Sequence, residues 1–165
     1  MSSFSSNAPD WSVSSGKTIY NLLATSPTGG VVISKYIEGS SNNKAIEIYI
    51  GTGAATNLLA GQYVLQQYNN GSTVATVTIA LTNVLDVNQC LVVSRAGTPT
   101  NAYPPAAGIL NAGGQKLQTN TLTFNGDDVI VLRRGGAAGL IVDRVGQAGT
   151  NAARSVWRLA TTDRT

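Results

Sequence analysis

Between Lys44 and Ile50 the side chains alternate with a period of two: Ile46, Ile48 and Ile50 fall on one face, Ala45, Glu47 and Tyr49 on the other. A helix would spread these isoleucines around its circumference, whereas a strand lines them up, because successive Cβ atoms point to opposite faces. The segment therefore predicts a half-buried antiparallel strand. The same period recurs where Val77, Ile79 and Leu81 oppose Thr76, Thr78 and Ala80 within Thr73–Leu81. Val31–Ile37, Gln62–Tyr68, Gln89–Arg95, Thr121–Phe124, Val129–Arg133, Leu140–Val145 and Ser155–Leu159 are further short apolar or β-branched runs, which makes about nine strands at close spacing. Asn69-Asn70-Gly71-Ser72 and Asn125-Gly126 are hairpin signals between runs, since Asn and Gly accept positive φ. The pattern is all-β, and a two-sheet antiparallel β-sandwich accommodates it.

Two stretches break the rhythm. Residues 96–119 hold Pro99, Pro104 and Pro105 among Gly and Ala, and read as one long loop with a short helical turn at Ile109-Leu110. Residues 1–29 are rich in Ser, Asn and Thr, with Trp11, Ile19, Tyr20 and Leu22 embedded, and Pro27-Thr28-Gly29-Gly30 separates them from the strand run at Val31. The division expected is an N-terminal extended arm over residues 1–30 and a domain over 31–165. Such an arm is able to lay a strand or an aromatic anchor on a surface, and Trp11, Ile19, Tyr20 and Leu22 are its candidate partner-binding residues.

Composition narrows the function classes. The chain has no histidine, one cysteine and eight carboxylates in 165 residues. Histidine is the usual general base near neutral pH and the commonest metal ligand, so its absence removes most routes to hydrolysis, metal catalysis and nucleophile activation. The chain is read as a non-enzyme. Cys90 lies in the apolar run Gln89–Val93 and reads as a small buried hydrophobe, without the basic surroundings a reactive thiolate needs. A lone cysteine cannot form an internal disulfide.

Charged residues are 12% of the chain, well below the usual share, and the net charge of +3 is unevenly placed. Arg133, Arg134, Arg144, Arg154, Arg158 and Arg164 are set against only Asp143 and Asp163 in the last 33 residues, while the remainder is slightly acidic. Arg154, Arg158 and Arg164 are therefore candidate contacts for an acidic neighbour, nucleic acid or anionic polymer. The plainer reading is that these arginines alternate outward on ordinary strands, without the interleaved aromatics that single-strand binders use. No basic and apolar leader is visible at the N-terminus, and no stretch is long and apolar enough to span a membrane.

Two acidic segments have both a ligand reading and a turn reading. Asp127-Asp128 after Asn125-Gly126 clusters oxygens that Ca²⁺ accepts, with Glu38 and Asn42-Asn43 as further donors, but the spacing is not that of an EF-hand loop. The structural reading is preferred: Asn-Gly makes the turn and the two Asp cap backbone N–H groups. Glu38 to Lys44 likewise reads as a hydrogen-bonding loop. Asn70-Gly71-Ser72 is a glycosylation sequon that its hairpin turn already explains.

The run Val32-Ile33-Ser34-Lys35-Tyr36-Ile37-Glu38-Gly39-Ser40-Ser41-Asn42-Asn43-Lys44-Ala45-Ile46-Glu47-Ile48-Tyr49 resembles the opening of a bacterial lamin-tail domain. Leu122–Val129, Ile141–Gly149, Trp157 and Thr162-Asp163-Arg164-Thr165 come next in the family's order, so the resemblance covers residues 31–165. It implies an immunoglobulin-like β-sandwich and an accessory module without catalytic residues of its own, of the kind carried by secreted nucleases, cell-surface proteins and nuclear filament proteins. Two departures stand out. The family usually has an acidic residue where Lys35 stands, and it continues past the final Thr into another short apolar strand. The second departure leaves an edge that the N-terminal arm would fill, from its own chain or a neighbour's.

Together these readings predict a non-catalytic structural building block or decoration protein of an extracellular, cell-surface or viral assembly. Its partners are copies of itself or a larger protein lattice, and it needs no cofactor, Ca²⁺ at Asp127 and Asp128 being the one candidate. The alternative is an accessory binding domain that contacts nucleic acid or anionic glycan through the arginine-rich C-terminal third.

Overall fold

The computed structural model describes residues 18–21, 30–38, 42, 44–51, 53–96, 114–146 and 148–149. Among these residues there is no helix. The strands are β1 (Thr18–Asn21), β2 (Val31–Glu38), β3 (Lys44–Ile50), β4 (Thr56–Asn57), β5 (Val64–Tyr68), β6 (Val77–Ala80), β7 (Val84–Leu85), β8 (Cys90–Arg95), β9 (Gln115–Thr119), β10 (Val129–Arg134) and β11 (Leu140–Val145). They fall into two compact units, one built from residues 1–54 and 86–123 and the other from 55–85 and 124–165.

The first unit carries a five-stranded sheet in the order β1-β2-β3-β8-β9. β3 begins and ends where its alternation predicts. It is not half-buried, however. Lys44, Ala45, Ile46, Glu47, Ile48 and Ile50 are all buried, and Tyr49 alone is partly exposed. β3 lies between β2 and β8, its second face carries the small Ala45, and the charge on Glu47 has a partner, so burial on both faces is tolerated. β2 holds a β-bulge: Ile33 pairs with Ile48 and Lys35 with Glu47, leaving Ser34 as the extra residue.

β9 corrects two expectations. Residues 115–119 are a strand and not the end of a loop, and the strand runs parallel to β8, with Leu91 opposite Gln115 and Val93 opposite Leu117. The sheet is therefore mixed, not wholly antiparallel. The connection from residue 96 to 114 makes this possible, because a parallel neighbour needs a crossover of a dozen or more residues.

The second unit carries a four-stranded antiparallel sheet in the order β11-β10-β5-β6, and a two-stranded ladder of β4 with β7. Leu132 pairs with Asp143 on one side and Leu65 on the other, and Leu65 pairs with Ile79, so one row crosses the whole sheet. Leu58, Leu65, Leu81, Leu85, Phe124, Ile130 and Leu132 are fully buried in this unit. Tyr68, Val129 and Val131 form a cluster of their own, covered by Ala75 and Ala148.

The turn between β5 and β6 obeys its dipeptide. Asn70 and Gly71 have φ of 50° and 74°, and the Ser72 N–H donates to the Asn69 carbonyl at 2.9 Å. Regular pairing starts only at Val77, because Thr76 also donates to the Gln67 carbonyl and bulges the entry to β6. Residues 121–124 differ from the expected strand with a hairpin turn at Asn125-Gly126. They alternate between exposed and buried, with Leu122 and Phe124 inward, but join no sheet; the turn at 126–127 leads into β10 instead.

Candidate functional site

The arm supplies an edge strand. β1 pairs antiparallel with β2, placing Thr18 opposite Glu38, Ile19 opposite Ile37, Tyr20 opposite Tyr36 and Asn21 opposite Lys35. Two of the expected partner-binding residues, Ile19 and Tyr20, thus lie in a main-chain ladder with the chain's own β2. Trp11, Leu22, Arg154, Arg158 and Arg164 lie outside the described residues, as do Ser155–Leu159, Trp157 and the turn at 109–110.

Beside this ladder sits an ion pair. Lys35 Nζ is 2.9 Å from Glu47 Oε1, and the Ser34 hydroxyl donates to the same oxygen at 2.7 Å. The bulge in β2 brings Ser34 and Lys35 to one carboxylate. The side chain of Glu47 is 2% exposed and that of Lys35 15% exposed. The residue that departs from the family pattern thus neutralises a buried charge, and desolvation makes such a pair costly to break. At the far end of β2, the Tyr36 hydroxyl donates to Glu38 Oε2 at 3.1 Å and Lys44 Nζ lies 3.9 Å from Glu38 Oε1. Of the Glu38–Lys44 segment, residues 39–41 and 43 lie outside the described residues.

Asp128 performs turn chemistry. It is buried, its Oδ1 accepts from the Asn70 N–H and its Oδ2 from the Asn125 N–H, each at 2.9 Å. One carboxylate therefore ties the β5–β6 turn to the turn that opens β10. Among the described residues no group of three or more His, Cys, Asp or Glu is placed to hold a metal ion. Cys90 is buried at the start of β8.

Two arginines are bound within the fold, and for Arg133 this corrects the expectation of an outward-facing charge. Arg133 Nε donates to Gln66 Oε1 at 2.7 Å and Nη1 to the Gly139 carbonyl at 2.7 Å, while the Tyr68 hydroxyl donates to the same Gln66 oxygen at 2.8 Å. Gln66 Nε2 then donates to the Ala137 carbonyl at 3.1 Å, so the β10–β11 turn is fastened to β5 by side chains, and to the turn before β5 by Gly135 N–H to Gly61 O and Gly136 N–H to Gln62 O. Arg95 Nε donates to Asn42 Oδ1 at 2.7 Å, and its Nη1 reaches the carbonyls of Asn120 and Leu122. The sequence signal for both is slight: an arginine closing a run of apolar β-branched residues, beside a turn.

The chemistry on offer is thus main-chain pairing at sheet edges and intramolecular charge satisfaction. An all-β, immunoglobulin-like domain is the class these features define. Residues 24–149 match the Lamin Tail Domain family, whose fold is the immunoglobulin-like β-sandwich, and the chain belongs to that family. No curated protein matches the chain. β1, at residues 18–21, precedes the matched span.

Proposed function

We propose that this protein is a non-catalytic building block or decoration protein of an extracellular, cell-surface or virion assembly, and that copies are joined by exchange of the N-terminal arm. One observation carries the reading: a strand from outside the family span is held on the sheet by backbone pairing with β2. Main-chain bonds have the same geometry whichever copy supplies the strand, so the ladder that closes one chain also links two. The connection through residues 22–30 contains Pro27-Thr28-Gly29-Gly30, a turn-forming stretch between the exchanged strand and the domain. Internal bonding of Arg133 removes one of the cations on which the alternative, contact with nucleic acid or anionic glycan through the C-terminal third, would draw.

Light scattering on the full chain, and on a variant lacking residues 1–29, tests this. The full chain is expected to scatter at a multiple of the single-chain mass, and the mass to fall when the arm is removed. Single-chain mass for both proteins, across the accessible concentration range, would overturn the proposal.

A further inference from the structure

We infer that the outer edge of β6 is a second assembly surface, and that its occupant is β6 of another copy, paired antiparallel about a twofold axis. This inference goes beyond arm exchange and does not depend on it. Among the described residues β6 pairs with β5 alone, at the end of the four-stranded sheet. The Leu81 N–H donates to the Tyr63 carbonyl at 2.9 Å, and the register continues through Ala80 opposite Val64, Ile79 opposite Leu65 and Thr78 opposite Gln66. Antiparallel ladders alternate between pairs that exchange hydrogen bonds and pairs that do not. Leu81 and Ile79 therefore bond inward to β5, and the peptide groups of Thr78 and Ala80 point away from the sheet. Both residues are exposed.

Natural edges are usually protected by charge, proline or a covering element. The entry bulge at Thr76 shortens this edge, but charge and proline are both missing from it. No Lys, Arg, Asp or Glu occurs between Glu47 and Asp86, and Thr73–Leu81 has no proline. Two other outer strands differ: β9 contains Lys116 and β11 contains Asp143 and Arg144, whereas β1, the strand of the arm, is uncharged as β6 is. β6 is thus an edge that can meet its own copy without placing like charges opposite each other.

The pairing is also self-complementary. In an antiparallel arrangement centred on Ile79, Thr78 of one copy faces Ala80 of the next, and the outward N–H and C=O groups satisfy each other twice over. Ile79 meets Ile79 of the second copy in the closely spaced, non-hydrogen-bonded position, where β-branched pairs gain most from contact. Ile79 and Val77 are only partly buried in the single chain, so the pairing removes further apolar surface from water.

The test is a cysteine at the twofold. Full-length Ile79→Cys, under mild oxidation, is expected to form a covalent dimer about tenfold faster than full-length Val74→Cys, because the twofold holds the two thiols at high effective concentration. Val74 is the more exposed position, at 71%, so random collision would favour it instead. The buried native Cys90 is common to both variants. Crosslinking of Ile79→Cys no faster than Val74→Cys would overturn the inference, and would be the result if the arm or a foreign peptide occupied β6. Full-length Ala80→Lys, an exposed substitution, provides a reading independent of the thiol. Its assembly mass by sedimentation should fall about twofold where pairing is twofold, and an unchanged mass would overturn the inference. A change in mass caused by deleting the arm affects neither result, so the two readings can fail separately.

Discussion

Replacing Lys35 with methionine tests whether the ion pair beside the arm ladder supports the fold. The substitution keeps the aliphatic stem and removes the charge that faces Glu47. Glu47 would retain the Ser34 hydroxyl at 2.7 Å but lose the ammonium at 2.9 Å, with its side chain 2% exposed. Removing one partner of a buried pair costs about 3–5 kcal/mol, because an uncompensated charge stays behind. The surviving hydroxyl bond and the 15% exposure of Lys35 place the expected loss at the lower end, about 3 kcal/mol. In urea this is a midpoint shift of roughly 1–2 M for a slope of about 1.5–3 kcal/mol/M.

Lys35→Met with Glu47→Leu should recover most of that loss, to within about 1 kcal/mol of the unmodified protein, since an apolar pair of similar volume is often neutral. The double variant should therefore be about 2 kcal/mol more stable than Lys35→Met alone, read by circular dichroism during equilibrium unfolding. A Lys35→Met protein within about 0.5 kcal/mol of the parent would refute the reasoning, because the carboxylate would then have been solvated without lysine.

Asp128→Ala should cost about 2–3 kcal/mol, as two backbone N–H groups lose a charged acceptor, and Asp128→Asn somewhat less, since one oxygen survives. Added Ca²⁺ should leave the melting temperature of both the parent and Asp128→Asn unchanged; a rise in the parent that Asp128→Asn lacks would contradict the turn-clamp account. Gly139→Ala should destabilise by about 1–3 kcal/mol, because its Cβ would collide with the Arg134 carbonyl. Gly136→Ala, with φ +82° but open space around the Cβ, should cost only about 1 kcal/mol, and equal thermal shifts for the two would refute this comparison.

The alternating strands are legible in the sequence because their pattern is local. β3 appears over the residues its isoleucines indicate, and β2, β8, β10 and β11 lie within a residue of the runs that announce them. β9 is hidden because Gln115-Lys116-Leu117-Gln118-Thr119 has one apolar residue, and its pairing with β8 is non-local. Residues 121–124 show the opposite case: the period is real and buries Leu122 and Phe124, but periodicity reports burial and not whether a ladder partner exists.

The candidate site divides along the same line. Asp128 is readable as a cap, since Asn125-Gly126 stands beside it in sequence, although its hold on Asn70 depends on the fold. The burial of Glu47 is not readable, because its partner is set by a bulge in a neighbouring strand. Arg133 escapes a sequence reading too, as its bonds to Gln66 and Gly139 arise only once β10 lies against β5 and turns back at Gly135-Gly136.

The central claim is that the arm's strand passes from one copy to the next, and mixing two cysteine variants tests it most directly. Thr18 and Glu38 are register partners across β1 and β2. Thr18→Cys protein mixed with Glu38→Cys protein and oxidised gently should give a covalent heterodimer on a non-reducing gel if arms exchange. A chain carrying both cysteines controls for reactivity of the pair. If that double variant closes readily on itself while the mixture yields no heterodimer, each arm stays on its own domain and the account of assembly is wrong.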